Sequence, residues 1–179
     1  MVILLGGSSH VGKTLAAQKL MERLSIPYIS QDHIKMGMIR TGMLKHSVTE
    51  DYALRYEMWP FMTELIKTVV ENGQNLILEG CYIPAEWQKS FTQEYLPHIK
   101  SVFLTMSEDY LRTHADDITR YANVIEQRIC DEVDLERLIN CSKGFYEDCV
   151  FCGIPVYEID GTYDIDAIIK GVLALLELE

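Results

Sequence analysis

The sequence has no basic cluster, no paired cysteine framework, no apolar run of membrane-spanning length and no Pro-, Gly- or Ser-rich linker. Each absence excludes something. Nucleic-acid binders gain affinity by neutralising phosphates with clustered Lys and Arg; here 16 basic residues stand against 27 acidic ones, a net charge of −11, so nucleic acid is not an expected partner. A small anion stays compatible with that charge, because a few Arg and Lys in a cleft outweigh a distant negative surface. The five cysteines (Cys81, Cys130, Cys141, Cys149 and Cys152) form an odd set, as in a reducing compartment. A membrane helix needs about 20 apolar residues, and the opening "MVILLGG" carries no basic leader. A soluble, cytoplasmic protein is expected, with no membrane partner. Without a linker or repeat, 179 residues that are 48% apolar predict one domain over 1–179.

"CVFC" at 149–152 has the C-x-x-C spacing of metal and redox sites. Zinc needs two further ligands, and no second C-x-x-C or H-x-x-x-H is present, so these cysteines read as small apolar residues at a helix end.

What is present is an alternation of short apolar runs with helical periods. "VILLG", "PYIS" at 27–30, "NLILEG" at 75–80, "SVFLTM" at 101–106 and "IPVYEI" at 154–159 read as five buried strands. Helices are predicted over 13–24, from Asp32 onward, over 51–72, from Pro84 toward Tyr95, in pieces over 108–150, and over 164–178; 41–50 reads as a polar loop. Strands alternating with helices imply an α/β three-layer sandwich, a five-stranded parallel sheet covered on both faces. Tyr52, Tyr56 and Trp59 recur at helical spacing and are expected in the core, the alternative being that they stack on a ring-bearing acceptor.

Between the first strand and first helix, Gly7-Ser8-Ser9-His10-Val11-Gly12-Lys13-Thr14 matches G-x-x-x-x-G-K-[ST] in full. Gly7 and Gly12 permit turns that aim successive amides at one anion, and the helix N-terminus adds partial positive charge. Lys13 can reach β- and γ-phosphates, and the Thr14 hydroxyl can coordinate Mg2+. The side chain of His10, at a variable position, is expected to face solvent. The loop binds a nucleotide; its purpose depends on an acceptor site.

In a parallel sheet the carboxyl ends of strands face the ligand crevice. Asp32 follows the second strand, where it can orient an acceptor hydroxyl and take its proton, or cap a helix. Arg40, eight residues on, is read as sharing its face and clamping an anionic acceptor, with Lys35 off that line. Glu79 ends the third strand and can orient the metal's water shell or an acceptor hydroxyl, with Gly80 permitting close approach. The acceptor region is placed at about 32–60.

"GGSSHVGKT", "IPYISQDHIK" and "LILEGCYIP" together resemble the ordered motifs of small P-loop kinases, especially of the 2-phosphoglycerate kinase type, within the group of adenylate, shikimate and gluconate kinases. The resemblance implies a P-loop NTPase fold with a helical lid, ATP and Mg2+ on Gly12, Lys13 and Thr14, Asp32 positioning or deprotonating the acceptor, and Arg40 binding it. It also implies an arginine-bearing lid over 108–140, where Arg112, Arg120 and Arg128 recur every eight residues and Arg137 follows; Arg120 and Arg128 are the expected catalytic members. Adenylate kinases carry an arginine after the third strand, where "EGCYIP" stands here. The expected activity is ATP-dependent phosphoryl transfer to a small hydroxyl-bearing or anionic acceptor. The alternatives are a nucleoside or nucleoside monophosphate kinase, and a nucleotide-binding regulator. A GTP switch is disfavoured because no N-K-x-D element is present.

Overall fold

A computed structural model describes residues 1–47, 50–121 and 134–178. Its centre is a sheet of β1 (Val2–Gly7), β2 (Tyr28–Ser30), β3 (Leu76–Glu79), β4 (Ile99–Met106) and β5 (Val156–Ile159). All four pairings are parallel, in the order β2-β3-β1-β4-β5. Connections between parallel neighbours need helical crossovers. The helices are α1 (Lys13–Leu24), α2 (Gln31–Arg40), α3 (Asp51–Glu71), α4 (Glu108–Thr113), α5 (Ala115–Tyr121), α6 (Leu135–Cys152) and, after the last strand, α7 (Ile165–Leu175).

The period-two alternation of β1 divides the core. Ile3 and Leu5 pack with α1 and α7 through Ala16, Leu20, Ile168 and Val172. Val2 and Leu4 face the opposite layer, with Leu54, Met58, Met62 and Ile66 of α3. α6 reaches both layers, giving Leu138 and Ile139 to the first and Phe145 and Cys149 to the second. The expected α/β three-layer sandwich is therefore present. Among the described residues no helix is long and apolar enough to cross a membrane.

Two expectations are corrected. No α-helix runs from Pro84 to Tyr95; the segment forms short 3-10 turns at Trp87–Ser90 and Leu96–His98. Tertiary bonds win there: Trp87 Nε1 donates to Ser101 Oγ at 3.1 Å, and Trp59 Nε1 to Ser90 Oγ at 2.8 Å, satisfying two indoles that burial would otherwise leave unpaired. Of Tyr52, Tyr56 and Trp59, only Trp59 is core; Tyr52 and Tyr56 are 72% and 45% exposed. The C-x-x-C pair closes α6 ahead of the left-handed Gly153, and among the described residues no three His, Cys, Asp or Glu side chains gather as a metal cage.

Candidate active site

The loop after β1 is shaped by its glycines. Gly7 has φ 128°, and a Cβ there would overlap the Leu104 carbonyl of β4, whose oxygen accepts from the Ser8 amide at 3.1 Å. Gly12, φ 84°, is the N-cap of α1 and has no side chain to accept from the first amides of that helix. Those donors and the helix dipole face the loop, as an anion site requires. His10 also has positive φ, 64°, a conformation few side chains adopt outside glycine and a mark of functional loops. Its Nδ1 lies 2.9 Å from Ser9 Oγ. Lys13 Nζ spans the loop and donates to the Ser8 carbonyl at 2.7 Å.

β1 and β3 are neighbours, which brings the end of β3 beneath α1. Glu79 is 2% exposed and accepts from Thr14 Oγ1 at 3.2 Å. A buried carboxylate costs several kcal/mol unless partnered, and here it addresses the hydroxyl that the loop motif assigns to Mg2+. The set fits that ion: a hydroxyl and a carboxylate beside a phosphate cradle suit a cation that keeps several waters.

The acceptor side differs from the sequence reading. Asp32, in the first turn of α2, pairs with Lys35, not with Arg40. At about 100° per residue, three residues bring a side chain closer to the starting direction than eight do. Arg40 is exposed in the last turn of α2, and among the described residues it makes no ion pair. Lys35, 12% exposed, also donates to the Tyr82 phenol at 2.7 Å, and that phenol donates to Asp51 Oδ1 at 2.9 Å. Burial first, then the nearby Cys81 thiol, Asp32 and Asp51, push the Tyr82 phenol far above its ordinary value, so it is a neutral donor. The Cys81 thiol is pushed up by burial, with Lys13 acting against and Asp32 and Asp51 with the shift.

Gly80 has φ 158°, and a Cβ on it would overlap Gln31 Oε1. Its immediate service is packing: β3 comes close enough to α2 for Gln31 to accept from the Tyr82 amide at 3.0 Å.

A cleft of about 530 Å³ opens beside Ser9 and His10, walled by Asp51, Tyr52 and Arg55 of α3 and by Arg137, Cys141 and Phe145 of α6. Arg55 lies 4.5 Å from the centre of the Phe145 ring, and its buried Nε has no hydrogen-bond partner among the described residues. Arg137 Nη2 is 3.5 Å from Asp51 Oδ2. Sequence reasoning passed over Arg55 inside the apolar period of α3. The available signal was a guanidinium between the core positions Leu54 and Met58.

Of the expected lid arginines, Arg112 is engaged by Glu108 and Glu136, Arg120 is exposed on α5, and Arg128 lies outside the described residues.

No protein-family model matches the sequence, and no curated protein sequence matches it. Solved structures do resemble it. A gluconokinase from Sinorhizobium meliloti 1021 superposes with a TM-score of 0.59 at 15% identity, covering 98% of this chain and 91% of that one. A shikimate kinase from Bacteroides thetaiotaomicron gives 0.57 at 16% identity over 99% of both chains. A deoxyadenosine kinase from M. mycoides, whose structure holds dCMP and dCDP, gives 0.51 at 15% identity over 99% of both. At these identities the likeness is one of fold. The chain has the fold of the small P-loop kinases, with the complete phosphate loop in its expected place at the end of β1.

Proposed function

We propose that the protein is an ATP-dependent kinase that phosphorylates a hydroxyl group of a small anionic metabolite, working as one domain in the cytoplasm without nucleic acid or membrane. The carrying observation is the juxtaposition of two half-sites at one sheet edge. The phosphate loop, with Thr14 bonded to buried Glu79, adjoins a cleft that holds Arg55 and Arg137.

In this reading the amides of Gly7 to Thr14 and the Lys13 ammonium bind the triphosphate, and Thr14 with Glu79 holds Mg2+ and its waters. When bound, the metal neutralises charge on the β- and γ-phosphates. Asp32 accepts the proton of the attacking hydroxyl, and Lys35 fixes the orientation of that carboxylate. Arg55 and Arg137 hold the acceptor's anionic group; a guanidinium over the Phe145 ring with a buried N–H that has no partner among the described residues is disposed to bind a planar or tetrahedral oxyanion. Arg120 and Arg128 are the residues we assign to offsetting charge on the transferring phosphoryl group. Gly80 serves the acceptor site through Gln31, and Arg40 lies at its margin.

A nucleoside or nucleoside monophosphate acceptor is the second reading, favoured by the exposed Tyr52 ring on the cleft wall, since aromatic rings stack on bases. The test is a panel of sugars, phosphoglycerates, nucleosides and nucleoside monophosphates scored for acceptor-dependent ADP release with ATP and Mg2+. One class should accelerate ADP release. Tight ATP binding with no acceptor response across the panel would instead identify a nucleotide-binding regulator.

A further inference from the structure

Tyr82 carries no motif position, yet it holds the centre of the acceptor side. It is 1% exposed, so its hydroxyl must find partners, and it finds two with opposite polarity. It accepts from Lys35 Nζ and donates to Asp51 Oδ1, using its donor and an acceptor lone pair. Its amide is anchored on Gln31, and Lys35 Nζ sits 4.9 Å from its ring centre. One phenol from the segment after β3 thus links the first turn of α2, which carries Asp32, to the first residue of α3, which carries Asp51 on the cleft wall.

We propose that Tyr82 is a positioning residue: its hydroxyl fixes Lys35, and through it Asp32, against Asp51, so that the proton-accepting carboxylate and the wall that holds the acceptor keep one spacing. Bonds to charged groups are stronger and more directional than neutral ones, so a single hydroxyl can hold both elements. Phenylalanine would keep the ring beneath Lys35 and remove both bonds. Lys35 would then be tied to Asp32 alone, and Asp51 would turn freely at the cleft wall. The kinetic consequence rests on the kinase reading; the coupling among the four side chains does not.

Two measurements test it. In the first, Tyr82→Phe raises the acceptor KM about tenfold, the loss of a charge-assisted hydrogen bond, and leaves the ATP KM within about twofold. A merely structural tyrosine would move both constants together or neither, and either pattern overturns the proposal. The second needs no turnover: reductive methylation of Lys35, followed by mass spectrometry. Lys35 should react faster in Tyr82→Phe and also in Asp51→Asn, and Asp51→Asn should add nothing in the Tyr82→Phe background. Unchanged Lys35 reactivity in Tyr82→Phe, or independent additive effects of the two substitutions, overturns the coupling. If the wild type shows no acceptor-dependent turnover, the kinase reading falls while the labelling cycle still decides the role of Tyr82.

Discussion

Gly80→Ala tests how the end of β3 sets up the acceptor side. The new Cβ would overlap Gln31 Oε1 and lie 2.7 and 2.9 Å from Gln31 Cβ and Cδ, closer than real Cβ contacts come. Gln31 is fully buried, so its side chain has nowhere to swing without giving up the Tyr82 amide. Losing that buried bond costs about 1–3 kcal/mol, and a side chain at φ 158° adds strain of about 1–3 kcal/mol. Together they predict a loss of about 2–6 kcal/mol, or about 4–24 °C in Tm for a chain of this size. Thermal and urea unfolding followed by circular dichroism measure it. In a Gln31→Ala background the same substitution should cost less, because the Oε1 and Cδ contacts are gone. A Gly80→Ala Tm within about 2 °C of wild type, or equal costs in both backgrounds, would refute the reasoning.

Three further outcomes follow from the site. Asp32→Asn should lower the rate of transfer by about 10²–10⁴-fold with ATP affinity retained, the scale of a lost general base; full transfer would leave Asp32 a helix-terminal residue only. Arg55→Met keeps an apolar stem against Phe145 and removes the charge, so the acceptor KM should rise about 10–100-fold at an unchanged ATP KM, and an unaltered acceptor KM would remove Arg55 from the site. Glu57 accepts from the Lys45 amide at 2.7 Å and the His46 amide at 3.3 Å and lies 2.7 Å from His46 Nδ1; the Lys45 amide first, then the His46 side chain, hold its carboxyl below the ordinary glutamate value. A depressed folded value means that its hold on the loop is complete above the unfolded value and lost as pH falls through the folded one. Hydrogen exchange at the Lys45 and His46 amides should therefore lose protection in acid, and constant protection across the carboxylate range would contradict the assignment.

The sheet was legible because most strands are short apolar runs, and the phosphate loop because each of its fixed positions has a physical reason: Gly7 and Gly12 in the backbone, Lys13 and Thr14 in the side chain. The segment after Pro84 was not, since Trp87 and Trp59 are tied to Ser101 and Ser90, partners distant in sequence that no local period reveals. The acceptor side was half legible. Asp32 and Glu79 stand at strand ends, where topology exposes them. Arg55 is concealed by the apolar stripe around it, and Tyr82 gains its place only when α2 and α3 converge on it. The sequence reading ranks Lys35 below Arg40, yet it is Lys35 that pairs with Asp32, because three residues return a helix closer to its starting direction than eight do.

The central claim is that the loop after β1 serves phosphoryl transfer to a separate small molecule. Its most direct test follows labelled γ-phosphate from ATP into the acceptor found by the panel, comparing wild type with Lys13→Met. The account predicts transfer in the wild type, a loss of at least about a hundredfold in the variant, and an unchanged fold by circular dichroism. Equal transfer by a folded Lys13→Met protein, or label released only to water by the wild type, would contradict it.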